Sequence, residues 1–255
     1  MKNPTLEEWK QLYEAAAEFK ESQCWTWMYN DNIFGVEDPQ TGQVAYCSIM
    51  GNAGQLIGVA AYLGDEGLLN LNKLLLTEDD NDDFNYTQRC FLFSYGDRDE
   101  LETKDLKVIK ALGLKFRGKG QWPQFRDYSP GLLPWFIDAE ACRFLTHIIR
   151  QAVEVAARCK TNQNLLLDFS AKPKLLLRVP ATGTDSLVWK DEYREVEAKA
   201  RFLSFAISDE ILLKRLEKLR GKSVVALEVE TFYYPAPVAE KSGDRPYFPQ
   251  MCLFV

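Results

Sequence analysis

Several residue patterns in this 255-residue chain have types and spacings that could do chemistry. Gly113-Leu114-Lys115-Phe116-Arg117-Gly118-Lys119-Gly120 follows the phosphate-binding pattern G-x-x-x-x-G-K up to its last position. There a hydroxyl should hold the nucleotide's metal ion, and Gly120 stands in its place. The run also follows a predicted helix and leads into Gln121-Trp122-Pro123, so no helix N-terminus faces a phosphate. A nucleotide-binding loop is rejected. Glu102-Thr103-Lys104 with Asp97 or Asp99, and Glu197-Ala198-Lys199 with Asp191, match the loose spacing of acid-x-Lys nucleases, whose acids hold magnesium and whose lysine orients water. The acidic run at residues 79–83 fails as a calcium loop, because Phe84 and Cys90 occupy the positions that need Gly and a bidentate Glu. His147 is the one histidine, so zinc sites built on several histidines have no ligands here. A hydrolytic triad would have to use that same imidazole, and no G-x-S-x-G elbow accompanies it.

The softer signal lies in the same glycine-rich stretch. Lys115, Arg117, Lys119 and Arg126 alternate with Phe116, Trp122 and Phe125, with no acid among residues 113–126. Cations of this kind track a phosphate backbone while aromatic faces stack on unpaired bases. The competing reading has the rings anchoring an ordered loop and the cations pairing with the neighbouring acids of residues 77–105. Residues 77–105 carry a net charge of −7, so the chain's total of −6 leaves the remainder near neutrality. A pI of about 5.1 runs against a dedicated nucleic-acid domain, which is usually basic. Residues 130–136, a Pro- and Trp-bearing connector, could line a pocket for an apolar or planar ligand together with Trp25, Trp27 and Trp122, but a Trp-rich core is the favoured reading of these rings.

These side chains need a scaffold. With 46% hydrophobic and 27% charged residues the chain reads as an ordinary globular protein. No apolar run approaches the roughly 20 residues of a membrane span, and the N-terminus lacks a signal-peptide core. The six cysteines are scattered, as expected of reduced thiols in the cytoplasm. Thr5 and Glu8 form a capping box before an amphipathic helix. Residues 33–36, 43–50 and 57–63 read as a strand meander, followed by a Leu-rich helix from Asp65 to about Leu76. A strand at 90–95, a helix at 99–112, a loop at 114–135 and a long helix at about 138–160 follow. Further strands are expected at 165–169, 174–179 and 187–196, then a helix capped by Ser208 with Gly221 past its end, then a strand through 225–233. The apolar ending at 251–255 is either a strand tucked into a sheet or a sign that the chain continues. Hairpin-like strand groups with single helices predict an α+β fold of mainly antiparallel sheets with a few packed helices, in two subdomains spanning 1–160 and 161–255.

Trp25-Thr26-Trp27, Phe34-Gly35-Val36-Glu37-Asp38-Pro39, Tyr46 to Gly51, Tyr62 to Gly67, Phe116-Arg117-Gly118-Lys119, Trp122-Pro123 and Pro130-Gly131 through Pro134-Trp135 resemble an uncharacterised bacterial domain family of unknown function. The remainder, including 189–195 and 247–255, is similar to a second unknown-function domain that accompanies the first. In such relatives the sequence often continues past the last apolar strand. The resemblance implies no catalytic residues and none are assigned. The sequence therefore points to a cytoplasmic binding or interaction module without a cofactor. Its expected ligand-binding residues are Lys115, Arg117, Lys119, Trp122, Phe125 and Arg126, set beside the acidic segment. The partner would be an anionic ligand, single-stranded nucleic acid or another protein, with no membrane involved. The alternative is a metal-dependent phosphodiester hydrolase on one of the acid-x-Lys sets.

Overall fold

A computed structural model of the chain describes residues 2–54, 56–76, 84–166, 174–181, 187–197, 210–218 and 229–254. Helix α1 (Leu6–Ser22) leads into strands β1 (Phe34–Glu37), β2 (Val44–Met50) and β3 (Ile57–Leu63). Helices α2 (Gly64–Leu76) and α3 (Phe84–Thr87) precede β4 (Cys90–Gly96) and α4 (Thr103–Ala111). Next come β5 (Trp122–Tyr128), α5 (Ala139–Thr161), β6 (Lys174–Ala181) and β7 (Val188–Glu195). Helix α6 (Glu210–Glu217) and the pair β8 (Val229–Tyr233) and β9 (Gln250–Phe254) complete the described elements.

The first seven strands form one sheet in the order β5-β4-β3-β2-β1-β6-β7. Every pairing in it is antiparallel except that of β1 with β6, so the chain is α+β with a mixed but mainly antiparallel sheet. The sheet takes strands from both sides of residue 161: β6 pairs with β1 in register Val36↔Arg178, and β7 pairs with β6.

Strand alternation divides the apolar residues between two faces. In β2, Ala45, Cys47 and Ile49 face one side with Val59, Ala61 and Leu63 of β3, and there α1 and α5 cover them. Tyr46, Ala60 and Tyr62 face the other side, where Leu68 and Leu71 of α2 close a smaller cluster. The long helix α5 buries Phe144, Leu145, Ile148, Ile149, Ala152, Val155 and Ala156 against the first face. The predicted capping box is formed: Thr5 Oγ1 accepts from Glu8 N–H at 3.2 Å while Glu8 accepts from Thr5 N–H at 2.7 Å.

Residues 114–135, read from the sequence as a loop, contain β5. The strand is hard to recognise because it sits at the sheet edge, where Pro123 and three polar side chains are tolerated. Leu165 and Leu166 lie in a turn, and the rest of the expected 165–169 strand falls outside the described residues. So do the acidic run 79–83, Ser208, Gly221 and residues 225–228.

Candidate functional site

Helix α4 and the loop that follows it carry the most concentrated unneutralised charge of the described molecule. Glu102 opens α4 with a reciprocal cap: its backbone N–H donates to Asp105 at 2.9 Å. The chain leaves the helix through Gly113 at φ 67° and turns again at Gly118 (φ 93°) and Gly120 (φ 60°), a left-handed region that glycine enters without steric cost. Lys104, Lys107, Lys110, Lys115, Arg117 and Lys119 are all exposed, and none has a carboxylate within 4.0 Å among the described residues. The arginines of the sheet and its packed helices behave differently. Arg89, Arg126, Arg143, Arg150, Arg158, Arg178 and Arg194 are each paired with a carboxylate.

Of the six residues expected from the sequence, Lys115, Arg117 and Lys119 lie together in solvent on this loop. Trp122 is half-buried, its ring 5.6 Å from Phe116 and 5.9 Å beneath the Arg98 guanidinium. Phe125 and Arg126 are drawn inward by β5. Phe125 is 3% exposed, paired with Phe93 at a ring distance of 5.5 Å and with Tyr13 at 5.2 Å. Arg126 donates to both oxygens of Asp105 at 3.0 and 2.6 Å and lies 5.1 Å over the Phe136 ring. These two residues do not belong to an accessible surface. Lys107 and Lys110 do, and sequence reasoning missed them because the helix was grouped with the acidic stretch before it. The available signal was the Lys spacing 104, 107, 110, which keeps cations on adjoining turns of one helix.

The other sequence patterns have structural occupations. Gly120 N–H donates to Asp97 Oδ1 at 2.7 Å and a strand follows, so the glycine-rich run is no phosphate cradle. Glu102 caps α4, and Asp97 caps the turn at 98–100. Asp191 is gripped by Arg158 and Arg178, whose hydrogen bonds, Arg158's foremost, hold its carboxyl below the usual carboxylate range. Ala198 and Lys199 fall outside the described residues. Among the described residues no group of three or more His, Cys, Asp or Glu could hold a metal ion. His147 stands half-buried, 5.7 Å from Trp189, and burial lowers its pKa below 6.5. All six cysteines are free; burial pushes Cys24 up to about 11 and Cys90 and Cys142 to about 12.

Two cavities flank the edge strand. The smaller, about 280 Å³, is lined by Arg89, Asp127, Ser129 and Arg245. Arg89, Asp127 and Arg245 are tied together: Asp127 accepts from Arg89 at 3.2 Å and from Arg245 at 2.7 Å, and Arg245 also donates to the Leu133 carbonyl at 2.8 Å. This cluster clamps the segment before β9 to the sheet edge. The larger cavity, about 440 Å³, is walled by Trp9, Tyr13, Trp135 and Phe136 beside Lys104 of α4. The 130–136 connector thus lines a cavity, but with different partners from those expected. Trp25 stacks on Phe19 at 5.4 Å, and Trp27 donates to the Ala156 carbonyl at 2.9 Å.

The family model of a domain of unknown function, DUF7309, matches residues 9–178, about two-thirds of the chain. That of a second domain of unknown function, DUF6930, matches residues 212–255. No curated protein and no solved structure matches the chain.

Proposed function

The chain belongs to the DUF7309 family, and from that premise we propose that it is a binding module that captures an anionic partner on the α4–loop surface. The observation carrying this reading is the contrast in charge pairing. Five cations (Lys107, Lys110, Lys115, Arg117 and Lys119) stand in solvent without a carboxylate partner among the described residues, whereas nearly all the packed arginines have one. Unpaired surface cations retain their full attraction for an external anion, whereas an intramolecular ion pair must first be broken. Phe116 and Trp122 sit at the base of the loop, which favours single-stranded nucleic acid, whose bases offer planar faces beside the phosphates. The overall charge of −6 confines attraction to this face and repels polyanions elsewhere. A cytoplasmic setting belongs to the same reading and is supported by six free thiols. Among the described residues no helix is long and apolar enough to cross a membrane.

Fluorescence anisotropy with a labelled single-stranded oligonucleotide tests the reading. The triple variant Lys115→Ala, Arg117→Ala, Lys119→Ala alters exposed positions only, so it should fold normally and lose most of the binding. Equal binding by the variant and the parent protein would remove the loop from the interface.

A further inference from the structure

The 440 Å³ cavity beside α4 lies within the 300–1,000 Å³ common for small-molecule sites, and its chemistry is one-sided. Trp9, Tyr13, Trp135 and Phe136 supply its walls. Tyr13 is 6% exposed, yet its hydroxyl has no hydrogen-bond partner among the described residues. Its oxygen is not sealed from solvent, so the O–H is free to donate to a molecule entering the cavity. The indole N–H groups of Trp9 and Trp135 likewise have no acceptor among the described residues. Lys104 holds its ammonium 4.5 Å over Phe136 and 5.1 Å over Trp135, and Lys107 adds a second cation. The cavity's two carboxylates are already engaged, Asp105 by Arg126 and the Glu102 N–H, and Asp138 by the Ala141 N–H at 2.9 Å.

From these groups we propose that the cavity binds a small planar aromatic anion. Ring faces select a flat ligand, idle O–H and N–H donors select an acceptor, and Lys104 places a positive charge at the ring-lined wall where a carboxylate or phosphate would sit. The site adjoins the α4–loop surface and shares Lys107 with it, but its determinants Tyr13, Lys104, Trp9 and Trp135 all lie outside residues 113–122.

Isothermal titration of the full chain tests this with two probe pairs, 2-naphthoate against 2-naphthamide and adenosine monophosphate against adenosine. The expected result is saturable binding of at least one anion, about tenfold tighter than its neutral counterpart, and the better pair identifies carboxylate or phosphate as the preferred group. Lys104→Met, which keeps the aliphatic stem, should weaken that anion about tenfold. Tyr13→Phe should weaken it with the fold intact by circular dichroism. The loop variant Lys115→Ala, Arg117→Ala, Lys119→Ala should leave it unchanged, separating this site from the oligonucleotide surface. No saturable binding of either anion, equal binding of the neutral analogues, or parental affinity in both Lys104→Met and Tyr13→Phe would overturn the proposal.

Discussion

Arg126 shows how a residue that looks available in a sequence is committed in the fold. Its guanidinium and the Asp105 carboxylate are 11% and 10% exposed and meet through two hydrogen bonds. Removing one member strands the other charge in a poorly solvated site, so Arg126→Ala is expected to cost about 3–5 kcal/mol in chemical denaturation. Arg117→Ala, at an exposed position, should change stability by no more than about 0.5 kcal/mol. His147 makes a second residue-scale prediction. Burial depresses its folded pKa below 6.5, so the unfolded chain takes up a proton that the folded chain resists. Stability from this group is present above the unfolded pKa and is lost as pH falls toward the folded one. The melting temperature should therefore drop as pH falls through and below the ordinary imidazole value of 6.5, and His147→Gln should flatten that slope. The carboxylates with lowered pKa, Glu8, Asp191 and Glu192, act only at lower pH, below their ordinary 4.5, 3.8 and 4.5.

Among the elements, those with strong periodicity were legible in the sequence. Thr5 and Glu8 marked the start of α1, the turn residues around 38–42 and 51–54 bounded β1 to β3, and the apolar face of α5 announced a core helix. The edge strand β5 was not legible, because Trp-Pro-Gln-Phe-Arg-Asp-Tyr follows no clean alternation and only pairing with β4 reveals it. Missing that strand is what misplaced Phe125 and Arg126, since both owe their burial to sheet registration: Phe125 lies opposite Phe93 and Arg126 opposite Leu92. The cations of α4 were hidden by adjacency to acids in sequence, although exposure sets them apart in space. Gly58 gives an element-scale test of the sheet. A Cβ there would lie 2.0 Å from the Phe93 carbonyl oxygen of the neighbouring strand. Backbone cannot yield as a side chain can, so Gly58→Ala should lower stability by about 1–3 kcal/mol in denaturant titrations.

At the scale of the whole molecule, charge is segregated. A protein of net charge −6 carries six cations and a single acid over residues 103–121, and that acid is neutralised by Arg126. Folding pairs off the arginines of the sheet and its helices and leaves this face with its charge intact. If five of these cations meet phosphates, the salt dependence of single-strand binding has a definite size. The slope of log affinity against log salt should be about −3.5, so raising salt from about 50 to about 200 mM should weaken binding on the order of 100-fold. In the Lys115→Ala, Arg117→Ala, Lys119→Ala variant the slope should fall to about −1.4. The measurement that tests the central claim most directly is therefore oligonucleotide affinity over a salt series for the parent chain and this variant. The expected result is the steep slope and its flattening in the variant; absent binding, or one slope shared by both proteins, would contradict the claim that this face captures an anionic partner.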